Sequence, residues 1–585
     1  MSQKPKIGEP TDQSRRSVLK LGAAATAAAV VPGQVGISPA LAKDPPPGPA
    51  TPPFLTPLPV YAPKAPETLS PPPQHYANTA NWECGRDPHQ GWDHWPHQKT
   101  YMLRVKPGMH SFHPHLPTQE IWGYDGIFPG PTFVSRYGEP TIVRIKNELP
   151  ANSTGFGSPE ISTHLHNLHC ASESDGFAGN YYSATKAGPT LTASGAYLDH
   201  HYVNCYANYD LYPETDGDPR EALGTLWYHD HRLDYTAFNC YRGLVGFHLM
   251  FDRLDSGNEI YDPGNPSALR LPSGVGVHDI PLAISDMQFD SGGYLWIDQF
   301  DNDGHLGNKI CVNGKIQPYF KVKPRKYRFR LLDSSMSKFY ELYLVKGGVN
   351  QTFQYIANDG NLLPSPLTMN KVAIGPAERG DIVIDFSKHA GSQLYLVNRL
   401  IQTSGRGPEG ALTNVRNAVG DLLAPGTQIL RFDVDASMPL GEVDYSRVPY
   451  MLRPLPPIDL SEVVKTRRFK FDRENELWTV NGKIVDIEHP TATVKVNTTE
   501  IWELEGSGGW HHPVHIHVDE GRILSRNGKM PPLHERGRKD VYALRPGELV
   551  RVVLRFSDFT GKYMMHCHNL THEDHAMMIR FDVVP

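Results

Sequence analysis

The segment ELVRVVLRF, residues 548–556, alternates apolar and polar side chains. An extended chain points successive side chains to opposite faces, so this period of two is typical of a half-buried β-strand. Similar short segments recur along the chain, separated by Gly, Pro, Asn and Asp. They include PTIVRIKNEL (140–149), PRKYRFRLLD (324–333), ERGDIVIDF (378–386) and TEIWELEG (499–506). Long helical periodicity is scarce, so the pattern predicts an all-β protein made of sandwiches.

The length of 585 residues exceeds what one hydrophobic core fills and predicts several domains. VNGKI occurs at 312–316 and again at 480–484, each time ahead of a VKP or VKV segment, which indicates a module shared by the middle and last thirds. Sandwiches of about 150 residues would fill the chain. The predicted divisions are a leader at 1–42, a proline-rich linker or strap at 43–97, and domains at 98–255, 256–455 and 456–585.

The N-terminus has the features of a targeting segment. SRRSVLK (14–20) carries Arg15 and Arg16 before an alanine-rich apolar run, and ALA at 40–42 fits a cleavage site. The paired arginines resemble a twin-arginine signal; the alternative is a chance pair before an alanine-rich tail. The apolar run is too short to span a membrane. The sequence therefore predicts a periplasmic or secreted protein that uses the twin-arginine export machinery and has no stable membrane anchor.

Charge and cysteine content restrict the possible partners. The net charge is −6 without a long basic run, which argues against nucleic acid as a partner. The cysteines show no CxxC zinc pattern, and at most two disulfides form if Cys567 binds a metal. The other cysteines are Cys84, Cys170, Cys205, Cys240 and Cys311.

Many of the 28 histidines fall into four tight clusters. They are THLH (163–166), YHDH (228–231), HPVHIH (512–517) and HCHNLTHEDHAMM (566–578). A spacing of two places both histidines of a dyad on one face of a strand. The same rule turns Cys567 away from His566 and His568, so one strand could serve two metal centres.

Two kinds of metal site follow from these ligands. Cys567, His572 and His512, with Met577 as a weak fourth ligand, match the set of a blue-copper electron-transfer site. Eight further imidazoles exceed the needs of one ion and imply a polynuclear cluster. A single HxH dyad is often only a polar strand face, and the HPH at 113–115 lies in a loop-like region, so we leave it out.

The four clusters resemble the copper-binding motifs of three-domain multicopper oxidases. YDGIFPGPTF (124–133) and YRGLVGF (241–247) resemble further family motifs, and the likeness, covering roughly residues 98–585, is to the bacterial group with spore-coat laccase, phenoxazinone synthase and bilirubin oxidase. It implies three consecutive cupredoxin-like Greek-key β-sandwich domains. It also implies four copper ions and the coupling of one-electron oxidations of a donor to reduction of O₂ to water.

The resemblance implies a role for each ligand. The type 1 copper takes Cys567, His512 and His572, with Met577 axial; the type 2 copper takes His164 and His515; the type 3 pair takes His166, His229, His231, His517, His566 and His568. One type 1 histidine is expected to be exposed as the entry point for electrons. Many members have Gly after the first HxH, where this chain has Asn167.

Two carboxylates match the family's proton donors near the oxygen-reducing cluster. They are Asp175 in SESDG and Glu573 in THED. Reduction of O₂ needs protons as well as electrons, and buried carboxylates can relay them. The alternatives are a turn residue before Gly176 and a surface acid.

Three functions stay open at this stage. The leading hypothesis is a laccase-like oxidase of phenols or related aromatics; the others are a Cu(I) or Mn(II) oxidase and a non-catalytic copper-binding protein. Residues 513–565 contain only three methionines, which argues against a cuprous oxidase with a methionine-rich insert. Specificity is expected in the loop 526–540, where Arg536, Arg538 and Lys539 indicate either anionic substrates or a solvated charge cluster.

Overall fold

The computed structural model describes residues 47–152, 155–298, 300–411 and 425–585. Strands dominate these residues, which confirms the all-β class. The α-helices are short: α1 Ser172–Asp175, α2 Thr236–Tyr241 and α3 Leu570–Asp574. Single 3₁₀ turns lie at Thr79–Asn81, Pro213–Thr215, Pro219–Glu221, Phe386–His389, Leu460–Glu462 and Leu533–Glu535. The predicted leader at 1–42 lies outside the described residues.

The first sandwich packs two four-stranded sheets. Its strands are β1 Lys99–His110, β2 Gln119–Tyr124, β3 Gly130–Arg136, β4 Thr141–Asn147, β5 Thr163–His166, β6 Tyr182–Ser183, β7 Lys186–Ala187, β8 Tyr197–Tyr202, β9 Thr225–Asp230 and β10 Val245–Phe251. One sheet has the order β2–β1–β4–β8 and the other β3–β10–β9–β5, while β6 and β7 form a separate hairpin. The dyads of THLH and YHDH therefore lie on or next to neighbouring strands, β5 and β9.

The middle sandwich packs an eight-stranded sheet on a six-stranded one. Its strands are β11 Asp279–Phe289, β12 Leu295–Trp296, β13 Lys309–Val312, β14 Lys315–Ile316, β15 Tyr319–Val322, β16 Lys326–Asp333, β17 Tyr340–Lys346, β18 Val349–Gln351, β19 Phe353–Asn358, β20 Asn361–Met369, β21 Lys371–Ile374, β22 Arg379–Asp385, β23 Gln393–Asn398, β24 Leu400–Ile401, β25 Gly410–Ala411 and β26 Thr427–Val434. The sheet orders are β14–β13–β11–β16–β22–β19–β20, with β12 beside β11, and β15–β26–β23–β17–β18, with β21 beside β17; β24 and β25 pair separately.

The third sandwich holds the last two histidine clusters. Its strands are β27 Val463–Glu474, β28 Leu477–Val480, β29 Ala492–Lys495, β30 Thr498–Gly506, β31 His512–Ile516, β32 Gly521–Arg526, β33 Arg538–Lys539, β34 Val541–Leu544, β35 Leu549–Phe556, β36 Gly561–Cys567 and β37 Met578–Val584. The orders are β28–β27–β30–β35–β32–β33 and β29–β37–β36–β31–β34.

The alternating segment ELVRVVLRF forms β35 and shows why these strands pair into sandwiches. Val550, Val552, Leu554 and Phe556 are at most 1% exposed and enter the core of the third sandwich. Burying each such side chain contributes about 1.5–3 kcal/mol. Arg551, between them, stays half-buried on the other face of the strand.

The two VNGKI copies form the same local structure. In each, Asn-Gly occupies a tight turn after a strand, with φ of +48° and +73° at Asn313 and Gly314, and +54° and +73° at Asn481 and Gly482. Positive φ at both central positions is the geometry of a type I′ hairpin turn, which Asn-Gly favours. The strand before each turn pairs antiparallel with the first long strand of its sandwich, β11 or β27.

The proline-rich segment from residue 47 onward is a strap that joins the first two sandwiches. Leu58 N–H donates to Tyr319 O at 2.7 Å in the middle sandwich, and Glu67 N–H donates to Thr100 O at 2.8 Å in the first. All six cysteines are described, and each carries a free, buried thiol. Among the described helices, none has the length and apolar character needed to cross a bilayer.

Candidate metal centre

Four histidine dyads meet where the first and third sandwiches touch. Strands β5 and β9 run antiparallel with His164 opposite His229. Strands β31 and β36 run antiparallel with His515 opposite His566. Because each dyad has the two-residue strand spacing, its second histidine follows on the same face. The Nε2 atoms of His164 and His515, from different sandwiches, lie 3.3 Å apart.

The other six histidines of these dyads form two triangles. In one, the ring centroids of His166, His229 and His568 lie 5.2, 5.3 and 5.8 Å apart. In the other, those of His231, His517 and His566 lie 4.8, 5.2 and 5.4 Å apart. All eight rings are at most 1% exposed. The sequence-predicted cluster residues are thus brought together at one interface.

The chemistry of these imidazoles fits a metal. Nε2 of His229 and of His231, and both ring nitrogens of His568, are buried without a hydrogen-bond partner among the described residues. A buried polar atom without a partner is costly, and a coordinated ion would satisfy it. Burial, together with the neighbouring imidazoles, holds the pKa of His229 and His568 well below the usual value. Neutral imidazole is the form that binds transition metals.

A second ligand group lies on the opposite face of β36, inside the third sandwich. The Sγ atom of Cys567 is 3.5 Å from Nδ1 of His512 and 3.5 Å from Nδ1 of His572. Met577 is fully buried in the same core, and its main-chain oxygen accepts from Cys567 N–H at 3.1 Å. Two imidazoles, a thiol and a neighbouring thioether form the donor set that selects blue copper.

Asp175 and Glu573 both lie against the histidine cluster. Nδ1–H of His517 donates to Asp175 Oδ2 at 2.7 Å. The Glu573 carboxylate lies 2.9 Å from Nδ1 of His231 and 2.8 Å from Nδ1 of His566. Such contacts to the ring nitrogen facing away from the cluster fix the orientation and tautomer of a metal-binding histidine. Neither acid is a surface or simple turn residue, because both are fully buried.

The environments of the two acids push their pKa values in opposite directions. Burial raises the pKa of Asp175 well above its usual value. Burial alone would also raise the pKa of Glu573, but His566 and His231 outweigh it and hold this pKa well below the usual value. The protonated form is therefore favoured at one acid and the charged form at the other, an arrangement that suits proton transfer.

Comparisons with known proteins agree with this geometry. Multicopper oxidase family models match residues 99–196 and 457–585. The chain is 34% identical to bilirubin oxidase of Albifimbria verrucaria over 82% of this chain and 76% of that protein. It is 30% identical to laccase of Bacillus subtilis over 83% of this chain and 94% of that protein. The chain belongs to the multicopper oxidase family.

A solved structure supports the fold of this multicopper oxidase. The laccase of Pediococcus acidilactici superposes with a TM-score of 0.68 at 23% identity, covering 92% of this chain and 96% of that one. The three cupredoxin-like sandwiches expected from the sequence are confirmed. The family also makes the protein an oxidoreductase that uses O₂, a reducing substrate and copper ions.

One carboxylate at the cluster escaped the sequence analysis. Oδ2 of Asp540 lies 2.8 Å from Nε2 of His166, and Nδ1–H of His515 donates to the Asp540 main-chain oxygen at 3.0 Å. Asp540 precedes β34, which pairs with β31 in the register His515 to Val541. An acid at the end of a strand beside HPVHIH was the available signal, but only tertiary structure reveals the neighbour.

The expectation for Arg538 and Lys539 was wrong. Both are buried, where Arg538 pairs with Glu520, and Lys539 pairs with Asp359 at 2.8 Å. A charged side chain survives burial only when it is paired, so these residues are structural and neither bind substrate nor form a solvated cluster. Arg536 alone is exposed.

The expected exposure of a type 1 histidine was also wrong. His512 and His572 are both 0% exposed. The Trp478 ring stacks on His572 with centroids 3.7 Å apart, and Nε2–H of His572 donates to Asp303 O at 3.0 Å. Asp303 belongs to the middle sandwich. An electron donor outside the protein therefore reaches His572 only through Trp478 or Asp303.

The histidines of the HPH segment contact the main chain of the strap. His113 is fully buried and its Nε2–H donates to Pro52 O at 2.9 Å, while Nδ1 of His115 lies 3.3 Å from Ala50 O. Leaving this dyad out of the metal site agrees with these contacts.

Proposed function

We propose that this protein is an exported, laccase-like oxidase with four coppers. The type 1 ion would be held by Cys567, His512, His572 and Met577; the type 2 ion by His164 and His515; and the type 3 pair by His166, His229, His231, His517, His566 and His568. Copper bound there would supply one-electron oxidation of a donor and four-electron reduction of O₂. The observation that carries the proposal is the His566-Cys567-His568 tripeptide, whose thiol faces one ligand group while its imidazoles face the other.

The two carboxylates would hold and move protons at the cluster. Asp175 Oδ1 is buried without a hydrogen-bond partner among the described residues, and burial raises the pKa of this carboxyl group, which favours its protonated form. His231 and His566 lower the pKa of Glu573 and favour its charged form, which orients both rings and can accept a proton. Reduction of O₂ to water consumes protons in a buried site, where water alone is a poor source.

We favour a phenolic or related aromatic donor. Trp478 stacks on His572, and the half-buried Trp510 lies beside Trp478. The guanidinium groups of Arg406 and Arg473 lie 4.8 and 5.5 Å from the centroid of the Trp510 ring. Aromatic rings and guanidinium planes bind aromatic molecules by stacking. Relatives named laccase and bilirubin oxidase support an organic donor, as does a similar Ochrobactrum oxidase described as active towards lignin model compounds.

The second candidate donor is a metal ion, Cu(I) or Mn(II). The Asp303 carboxylate, next to the His572 contact, is the feature that favours it. However, Arg473 lies 2.7 Å and Arg406 3.4 Å from this carboxylate, and their positive charges oppose the binding of a cation. The aromatic donor therefore remains the better candidate.

Export rests on the N-terminal sequence. Arg15 and Arg16 precede the alanine-rich run as in a twin-arginine signal. We therefore place the protein in the periplasm or outside the cell. Fractionation of cells expressing the full chain tests this, with Arg15→Lys plus Arg16→Lys as the matched control; retention of both forms in the cytoplasm contradicts export.

Oxygen uptake by the copper-loaded protein tests the activity. The donors are a phenol, 2-aminophenol, bilirubin, Cu(I) and Mn(II), with Cys567→Ser as the control. Uptake with aromatic donors that disappears in the control supports the proposal. Oxygen uptake only with Cu(I) or Mn(II) would support the metal-oxidase alternative. No oxygen uptake despite bound copper would reject a laccase-like activity.

A further inference from the structure

A buried ion pair connects the middle sandwich to the histidine cluster. Nη1 of Arg379, at the start of β22, lies 3.0 Å from Oδ1 of Asp540. Both side chains are 1% exposed. The other carboxylate oxygen of Asp540 lies 2.8 Å from His166 Nε2. The guanidinium group is thus one carboxylate away from a predicted copper ligand.

The Arg379 side chain is fixed from several directions. Nε–H donates to Thr225 O at 3.2 Å in the first sandwich, Nη1–H to Ala377 O at 2.9 Å, and Nη2–H to Asp359 O at 2.9 Å. A planar guanidinium with all these donors occupied has one available orientation. Arg379 therefore presents a rigid positive group to Asp540.

Asp359 ties this arrangement to the third sandwich. Its carboxylate accepts from Arg379 N–H at 3.0 Å and from Val541 N–H at 3.2 Å, next to Asp540. Burial alone would raise the pKa of Asp359, but Lys539 and Arg379 together hold it below the usual value. The position of Asp540 is thus set by groups of the middle sandwich on both its side chain and its main chain.

We propose that Asp540, held by Arg379, is a positioning residue for His166 and His515. Oδ2 of Asp540 lies 2.8 Å from His166 Nε2, so this ring nitrogen faces the carboxylate and Nδ1 is the one left for the cluster. Its main-chain oxygen accepts from His515 Nδ1–H, which directs His515 Nε2 towards His164. Asp175 and Glu573 contact their histidines at Nδ1, so the contact of Asp540 with Nε2 gives His166 the reverse orientation. This inference rests on the proposed type 2 and type 3 sites.

The test compares copper binding in the full, copper-loaded chain with Asp540→Asn, Asp540→Ala and Arg379→Lys. The readouts are copper retained during a chelator titration, the electron paramagnetic resonance spectrum of the type 2 ion, and the visible absorption of the type 1 site. Loss of an outer partner of a metal-binding histidine lowers metal affinity by about 10–100-fold. We expect that loss in Asp540→Ala, a smaller one in Asp540→Asn and Arg379→Lys, and altered type 2 spectra in all three.

Asp279→Asn is the matched control. Asp279 forms an equally buried pair with Arg330, at 2.7 Å through two hydrogen bonds, in the same sheet of the middle sandwich. Within the described part of the chain, Asp279 contacts none of the histidines of the cluster. We expect a loss of stability with an unchanged type 2 spectrum. Intact visible absorption in each variant shows that the third sandwich has folded.

The outcomes separate the two claims. Unchanged copper retention and spectra in Asp540→Ala and Arg379→Lys overturn the positioning role while leaving the proposed sites intact. A type 2 signal that changes equally in Asp279→Asn also overturns it, since any lost ion pair would then suffice. Absence of a type 2 signal in the wild-type protein overturns the proposed copper sites, and this inference with them.

Discussion

The two ligand groups differ in what holds them together. Cys567, His512, His572 and Met577 all belong to the third sandwich, and Cys567 and Met577 line its core. The cluster takes four histidines from the first sandwich and four from the third. The proposed type 1 group is therefore part of one folded unit, whereas the histidine cluster forms only when two sandwiches dock. Changes at the docking surface should act on the cluster and spare the type 1 group.

The largest effect is expected at the shared strand. Cys567→Ser removes the thiolate, and with it the visible absorption and all oxidation of aromatic donors. Copper at the cluster should remain, because His566 and His568 face the other way. Absorption spectra and copper counts per chain check this, and loss of cluster copper as well would show that the two groups are not independent.

Glu573→Gln should affect the cluster alone. General acid–base groups contribute about 10²–10⁴-fold to rates, so oxygen consumption should fall by this order. Anaerobic bleaching of the type 1 absorption by a donor should keep its wild-type rate, since the Glu573 carboxylate pairs with the cluster histidines His231 and His566. Stopped-flow absorption measures the rate of bleaching, and an oxygen electrode measures the rate of oxygen consumption. An equal loss in both rates would argue against independent roles for the two ligand groups.

His169 links the two sandwiches and gives docking a pH dependence. It lies between Asp519 at 2.9 Å and Asp558 at 2.8 Å. Burial alone would lower the pKa of His169, but the two carboxylates raise it to about 10. A folded-state pKa above the unfolded value means that this stabilisation is complete below about pH 6.5 and is lost as the pH rises through about 10.

Removal of this imidazolium should destabilise the docked state. His169→Gln breaks a buried pair, which costs about 3–5 kcal/mol at neutral pH. Denaturant unfolding at pH 7 and above pH 10 measures it, and the difference between variant and wild type should shrink at high pH. A constant difference across this range would assign the loss to packing.

Asn167→Gly gives the smallest expected effect. Asn167 has φ of +81°, a conformation that glycine adopts freely, and its Nδ2–H donates to Asp359 O at 2.7 Å. Glycine keeps the backbone and loses one buried hydrogen bond between sandwiches, worth about 0.5–1.5 kcal/mol. Chelator resistance of the cluster should fall slightly with unchanged type 1 absorption; a stronger cluster would mean that the asparagine is strained.

The features that depend on local sequence patterns were predictable from the sequence. Strand alternation gave the fold class, and the two-residue spacing of the dyads placed Cys567 opposite its flanking histidines, as the structure shows. Contacts made by distant residues were not predictable. Asp540 acts through a neighbouring strand, and Asp303 covers His572 with a main-chain oxygen, which every residue possesses and no motif can mark. The burial of Lys539 likewise depends on Asp359, a carboxylate of the middle sandwich that is distant in the sequence.

The free thiols have a consequence for how the protein is made. Since none of the six cysteines is bonded to another, the fold can be completed in a reducing solution, before any transport across a membrane. Buried thiols also resist disulfide exchange, because an attacking thiolate cannot reach them. Purification in the presence of a reductant therefore leaves the fold intact, and only the copper sites limit which reductant is suitable.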